Sequence, residues 1–252
     1  MRKHYLNMFF SMVLVLGAFS LPAAAAQEVT SPPAVTQEVL VDEVEIKDPW
    51  MGFNRSMYKF NDGLDKAIIA PAARGYRAVV PKPIRQGVSN FFENLADIIT
   101  AINNLLQGKP KEALSDTARV LVNTTLGVGG LFDIASRMNL EKHHEDFGQT
   151  LAVWGVKNGP YIVLPIFGPS TLRDTTGTIV DVTLHPLSGV EETEIVYSTV
   201  GLYVVDERAE LLEASDIIEQ AALDPYVFQR DAYYQSRQHA IKDGDSKHFS
   251  DF

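Results

Sequence analysis

Four places in this 252-residue chain carry residue types that can do chemistry. The first is His143-His144-Glu145-Asp146. Imidazoles and carboxylates ligate metals, but adjacent histidines rarely point at one ion. The H-E-x-x-H spacing that sets two imidazoles on one helical face is missing. The stretch reads as a solvated polar loop. The second place is Gly127-Val128-Gly129-Gly130. A glycine loop cradles phosphate when it follows a strand and brings a lysine with it. This one follows a helical pattern and brings none, so it reads as the end of a helix. The third, Gly168-Pro169-Ser170-Thr171, lacks the second glycine of a nucleophile elbow, and Ser170 is expected to N-cap a helix instead. The fourth is Arg173, Asp174 and Asp181, which sit beside an apolar segment and suggest a buried ion pair with a structural role. The chain has no cysteine, so thiolate nucleophiles, Cys-ligated metals and disulfides are excluded. No histidine stands at a usable catalytic spacing from a serine. Nothing in the residues supports an enzyme, and no cofactor or metal is expected.

The elements around these places read as helices. Pro83 to Gly108 has apolar residues at Ile84, Val88, Phe91, Phe92, Leu95, Ile98, Ile99, Ile102, Leu105 and Leu106, the spacing of one helical face. Its other face is mostly uncharged amide and hydroxyl, whereas a freely solvated face carries Lys and Glu. Pro83 suits the first turn, and Gly108 the left-handed residue beyond the last. Asp48-Pro49 reads as an N-cap and first helical residue before a second amphipathic helix with Trp50, Phe53, Met57, Phe60 and Leu64 on its stripe. Pro71 to Pro83 is expected to be a loop. Helices follow over Pro110–Thr125, within Leu131–Asn139, and over Phe147–Val156. Gly159 to Pro169 is apolar, but its three prolines preclude a continuous helix and demote any strand. A helix then runs from Ser170 to about Leu184. One long helix over Glu191–Glu213, a short one over Ser215–Ala222 and a last one from Asp224-Pro225 to about Ile241 complete an all-α expectation.

The ends bound the setting. Arg2 and Lys3, an apolar run from Leu6 to Leu21 and the small residues Ala23 to Ala26 make residues 1–26 a secretory signal peptide. Residues 27–47 read as a flexible acidic linker, 48–241 as the helical domain and 242–252 as a polar tail. The net charge is −10, and without Arg2 and Lys3 the chain holds 20 basic against 32 acidic residues, near −12. That balance argues against nucleic acid and against a polybasic lipid-surface binder. No segment beyond the signal is apolar for the ~18 residues of a spanning helix. Export and amphipathic helices suit a lipid-handling protein, but core and interfacial helices share one pattern, so periodicity leaves a soluble helical domain equally open.

Longer motifs narrow this. DPWMGFNRSMYKFND from Asp48, NFFENL from Asn90, NTTLGVGGLFDIA from Asn123, DFGQTLAVWGV from Asp146, GPYIVLPIFGPSTLRD from Gly159 and DPYVFQRDAYY from Asp224 occur in order. Together they resemble the MlaA family, also called VacJ, of outer-membrane lipid-asymmetry proteins, over about Asp48 to Ile241. The resemblance implies a ring-shaped single domain of amphipathic helices lying in the inner leaflet of the outer membrane of a Gram-negative bacterium. It further implies a central amphipathic channel through which mislocalised phospholipid leaves the outer leaflet for a soluble periplasmic carrier. It implies association with porin trimers and no cofactor. On that basis Phe53, Tyr58 and Phe60 are candidates to control the lipid path, with packing as core aromatics the competing reading. Gly127, Gly129, Gly130, Tyr161, Pro165 and Gly168 are expected to line it, because irregular backbone at membrane depth needs protein or a wet cavity around it. Asp48, Pro49, Gly52, Asn54, Arg55, Asn61, Asp133, Arg173, Asp174, Asp224 and Pro225 are read as structural residues of the motifs. The apolar stripe of Pro83–Gly108 would then meet acyl chains, with Asn90, Asn94, Thr100, Asn103 and Asn104 facing a confined wet space. The chain departs from the family's lipoproteins at Phe19, which follows Leu16-Gly17-Ala18 where an acylated cysteine would stand. The competing readings are a soluble periplasmic lipid-binding carrier and a structural porin-associated protein.

Overall fold

The computed structural model describes residue 46 and residues 48–242. The signal peptide, most of the linker and most of the polar tail lie outside the described residues. The fold is helical with one hairpin. In order it comprises α1 (Met51–Leu64), a π-helical turn (Asp65–Ile69), α2 (Ala70–Val79), α3 (Lys82–Leu106), α4 (Pro110–Thr125), α5 (Ile134–Arg137) and α6 (Phe147–Val153). Then come β1 (Tyr161–Leu164), β2 (Gly168–Thr171), α7 (Leu172–Leu184), a 3-10 turn (Pro186–Gly189), α8 (Thr193–Ala221) and α9 (Pro225–Ile241).

Helix α3 begins and ends where its punctuation requires. Pro83 lies in its first turn, and Gly108 adopts φ +80 while the Lys109 N–H closes on the Asn104 carbonyl at 2.9 Å. The expected loop from Pro71 to Pro83 is instead helical as far as Val79. The proline ring of Pro71 would press on the carbonyl of Ala67 in a regular α-helix, and the chain widens by one residue per turn just before it. Only Pro81 breaks the rod, by forcing Val80 into the extended region (ψ 119).

Among the described residues the fold is all-α as expected, and only the apolar Gly159–Pro169 segment departs from it locally. It supplies an antiparallel hairpin, β1 on β2, with Tyr161 opposite Thr171 and Leu164 opposite Gly168. Pro165 falls in the turn between the strands, outside the ladder, and Gly168 takes φ +78 where β2 begins. Thr171, not Ser170, N-caps α7, its hydroxyl accepting from the Asp174 N–H at 3.2 Å. At the start of the domain, helix α1 opens two residues later than Asp48-Pro49 suggested, with Trp50 in the cap position. The two helices expected over 191–222 are one, α8. Asp224 caps α9 as expected, accepting from the Tyr226 and Val227 N–H groups.

Two small apolar clusters tie distant elements together among the described residues. Ala70, Ala73, Ala209 and Leu212, with Tyr76 against them, join α2 to α8. Tyr161, Val163, Tyr226 and Tyr234 join the hairpin to α9, with Met57 and Tyr58 of α1 and Ile46 packed on them.

Candidate functional site: a polar interior beneath an apolar exterior

Helix α3 is inside out. Its amide face is the buried one: Asn94, Asp97, Thr100, Asn103 and Asn104 are 0–5% exposed. Ile84 and Leu105 on the other face are 58% and 64% exposed. The same inversion runs through α4, where Asp116, Arg119 and Asn123 are buried while Leu114 and Leu121 stand outside. An ordinary soluble domain buries the leucines and solvates the charges.

Most of the buried groups satisfy one another, although the side-chain oxygens of Asn94 and Asn104 have no partner. Arg119 is enclosed by Asp97 (3.4 Å), Asp133 (3.3 Å), the Ser136 hydroxyl (3.1 Å) and the Leu140 carbonyl (2.8 Å). Asn123 donates to Asp133 and accepts from the N–H groups of Ile134 and Ala135, so it fastens α5 to α4. Burial raises Asp97 above the usual carboxylate range despite Lys142 and Arg119 nearby. Burial also opposes ionisation of Asp133, but the Ser136 hydroxyl and amide, Asn123 and Arg119 outweigh it and bring Asp133 down to about 2. Asn104 donates to Asp116 at 2.8 Å, and His143 Nδ1 lies 3.0 Å from the other Asp116 oxygen. Glu145 accepts from Gln107 and Lys109. The His143–Asp146 stretch is therefore tied to α3 and α4 rather than solvated, and among the described residues no group of three or more such side chains is arranged for a metal.

A second network lies at the crossing of α6, α7 and α9. Arg237 pairs with both oxygens of Asp146 and reaches Asp174 at 2.9 Å, and the Tyr233 hydroxyl donates to Asp174 at 2.5 Å. Arg173 and Asp174 form the expected buried pair at 2.8 Å. Asp181 stands apart from that pair. It accepts from Asn103 (3.1 Å) and the Phe147 N–H (2.9 Å), and burial with the nearby Asp146 carboxylate pushes it up to about 7. Asn103, Asn104 and Thr100 thus face packed protein rather than a wet space, while Asn90 is half-buried and donates to the Leu131 carbonyl.

The motif residues of α1 hold the hairpin. Asn54 and Asn61 are seven residues apart, two turns on one face. Asn54 donates to the Tyr161 carbonyl (3.2 Å) and accepts from the Val163 N–H (2.8 Å). Asn61 does the same for Leu164 (2.9 Å) and Ile166 (2.6 Å). Two side-chain amides so replace the neighbouring strand that β1 lacks on that side. Asp48 binds the Asn54 amide at 2.8 Å and the Tyr226 hydroxyl, and Arg55 forms a two-point pair with Asp224 and covers the Tyr226 ring at 4.6 Å. Ile166 is β-branched yet sits at φ +71, a strained conformation that the Asn61 pair helps to enforce. Asn61→Ala is expected to lose about 1–3 kcal/mol by leaving both backbone groups unpaired, with faster amide hydrogen exchange at Ile166 as the specific sign. Unchanged exchange there would show that the turn holds itself.

The residues expected to line a lipid path are not gathered in one place. Tyr161 is completely buried in the tyrosine cluster and is a packing residue. Gly127 and Gly130 are also packing positions: a Cβ on the first would strike the Phe132 carbonyl, and on the second the Asn94 amide. Gly168 is buried at the start of β2. Gly129, at φ +70, and Pro165 face outward. Phe53 and Phe60 are exposed on α1, while Tyr58 packs edge-on against Tyr226. Pro49 lies in the turn before α1, Gly52 is open, Asp133 caps α5 and Pro225 opens α9. The sequence reading passed over Arg119 and Arg237, the hubs of the two networks. Their one trace in the sequence is an arginine on an otherwise uncharged stretch of helix.

Ion pairs inside and leucine and phenylalanine outside define a helical protein whose natural surroundings are apolar. The chain belongs to the MlaA family: the model for the MlaA lipoprotein matches residues 46–240. It is 36% identical over 210 residues to the intermembrane phospholipid transport system lipoprotein MlaA of Escherichia coli, covering 82% of this chain and 83% of that one. It is 38% identical over 204 residues to the protein of the same name from Haemophilus influenzae, covering 79% and 81%. A structure solved for the structural basis for maintenance of bacterial outer membrane lipid asymmetry matches with a TM-score of 0.69 at 36% identity, covering 77% of this chain and 98% of that one.

Proposed function

We propose that this chain is the outer-membrane component of an intermembrane phospholipid transport system. It draws mislocalised phospholipid from the outer leaflet through a central amphipathic channel in a ring-shaped domain. It passes the lipid to a soluble periplasmic carrier, and so maintains lipid asymmetry. The reading places it at the periplasmic face of the outer membrane, beside a trimeric porin, with Phe53, Tyr58 and Phe60 controlling passage. It assigns no catalysis.

The observation that carries the reading is the inverted polarity of α3 and α4, which has no use in water and a clear one among acyl chains. The lengths agree. Among the described residues no helix is long and apolar enough to cross a membrane. The uncharged part of α8, Ile195 to Val205, is about 16 Å long, which is roughly half of a ~30 Å hydrocarbon layer. That supports residence in one leaflet. With no cysteine to acylate, attachment rests on the fold and its partners, and one acyl chain would in any case bind only marginally.

Deletion of the gene is expected to raise outer-leaflet phospholipid and to sensitise cells to detergent and chelator. An unchanged phospholipid level, or mature protein found entirely in the soluble periplasmic fraction, would overturn the reading.

A further inference from the structure

The turn that follows α4 combines features that do not belong together on a water-facing loop. From Val120 to Phe132 the chain carries no charged residue. Leu126, Val128, Leu131 and Phe132 are 65%, 63%, 42% and 55% exposed, and Leu121, one turn earlier on α4, is 60% exposed. Charge on α4 is confined to its other end, at Lys111 and Glu112, apart from the buried Asp116 and Arg119.

Part of the polar backbone of the turn is turned inward. Three carbonyls at the end of α4 are closed by the chain itself. Val122 accepts from the Leu126 and Gly127 N–H groups, Asn123 from Gly130 and Thr124 from Gly129, at 2.8–3.2 Å. The Thr125 hydroxyl donates to Leu121, the Thr124 hydroxyl accepts from Asn94, and the Leu131 carbonyl accepts from Asn90. Phe132 N–H returns to the Gly127 carbonyl at 2.9 Å. In water such groups are shared between capping turns and solvent. Each one closed internally lowers the cost of placing non-helical backbone in hydrocarbon.

Val128 is the third observation. It has φ +54, the left-handed region that β-branched residues avoid, and its neighbours Gly127, Gly129 and Gly130 are all glycine. A valine holds that strained position while its side chain points away from the protein. No intramolecular packing compensates for the strain.

We propose that Leu126–Phe132 is an acyl-inserting wedge, the part of this chain that penetrates deepest into the lipid leaflet, with Val128 at its tip and phospholipid acyl chains as its occupant. The proposal rests on the membrane reading above and adds to it which element enters the hydrocarbon, and in what orientation α4 stands. The Lys111 end lies at the aqueous boundary and the Leu126 end inside.

The chain's lack of cysteine makes a direct test available. Val128→Cys and Lys111→Cys proteins, labelled with an environment-sensitive fluorophore, are bound to phosphatidylethanolamine/phosphatidylglycerol vesicles. Quenching is then compared between aqueous iodide and lipids brominated deep in their acyl chains. The label at position 128 is expected to be quenched by the brominated lipid and protected from iodide, and the label at 111 the reverse. A companion variant, Val128→Gly, keeps the backbone conformation at lower strain. It is expected to unfold at a higher temperature in detergent yet to bind vesicles about tenfold more weakly through loss of one buried aliphatic side chain. Iodide quenching at 128 as strong as at 111 overturns the wedge while leaving the membrane reading intact. Protection of position 128 from both quenchers means that a second copy of the chain covers the turn, which also overturns it. Unchanged vesicle binding by Val128→Gly does the same. Failure of the wild-type protein to bind vesicles at all removes both the wedge and the reading on which it rests.

Discussion

Arg119→Ala is expected to destabilise the protein by about 3–5 kcal/mol, the cost of leaving buried carboxylates without their counter-charge. Arg119 is 1% exposed and Asp97 is 2% exposed. No water reaches Asp97 to replace the guanidinium, and the Ser136 hydroxyl and Leu140 carbonyl lose a donor in the same step. The loss should appear as a lower thermal midpoint in detergent. Because Arg119 also anchors Asp133, the cap of α5, the segment from Phe132 to Leu140 should lose protection first. Lys66→Ala is the comparison. Lys66 pairs with the exposed Glu219 at 2.7 Å, where an ion pair contributes about 1 kcal/mol or less. Asp97→Asn and Asp133→Asn introduced together with Arg119→Met should recover much of the stability, since removing all the charges leaves none uncompensated. An Arg119→Ala protein as stable as the Lys66→Ala protein would show that the pocket is wetter than its geometry implies.

The double substitution Leu105→Lys/Leu114→Lys is expected to do the opposite: fold normally and lose the membrane. These leucines flank an open apolar groove of about 320 Å³ between α3 and α4, lined also by Ala101, Ile102, Ala113 and Thr117. They are 64% and 70% exposed, so each lysine replaces a side chain that little of the protein touches. A lysine costs about 2.5–3.5 kcal/mol at the centre of a hydrocarbon layer and less here, one turn from the Lys111 end, where the ammonium reaches the interface. Vesicle binding should fall by about tenfold, while the unfolding midpoint in detergent moves little. Retained binding by the folded variant would mean that this face of α3 and α4 meets water. Aggregation of wild-type protein without detergent, relieved by the two lysines, is expected from the same surface.

Both experiments turn on a distinction that periodicity does not make. The repeat of Ile84, Phe91, Ile98 and Leu105 marks a helix and its two faces, but an apolar face is equally an inner face in water and an outer face in lipid. The anomaly that pointed the right way was on the polar side, where amides and hydroxyls stood in place of Lys and Glu. The structure shows why: Asn94, Asn103 and Asn104 bond to groups on other helices and not to solvent. The expectation that they face a wet cavity had the correct side of the helix and the wrong neighbour. The hairpin escaped notice for a related reason. Gly159–Pro169 has the prolines of a non-strand, and its edge is completed not by a strand but by Asn54 and Asn61, more than 100 residues away. Ser170 lost the cap to Thr171 because strand β2 runs one residue past it before the helix turns.

What the sequence determined by itself is local. Pro83, Gly108, Pro110 and Asp224-Pro225 set helix boundaries, because φ, the missing proline N–H and the first-turn amides act over a few residues. The ordered motifs from Asp48 to Tyr234 also carried the family, since long strings of residue types keep their meaning without a structure. Tertiary structure decided which face of each helix is inside, and with it the surroundings that the protein requires. Arg119 and Asp97 come from different helices, 22 positions apart, and Arg237 and Asp146 are 91 apart. Each charge is tolerable only when its partner arrives. Polarity along one helix says where a charge is, whereas burial depends on whether the rest of the chain can neutralise it there.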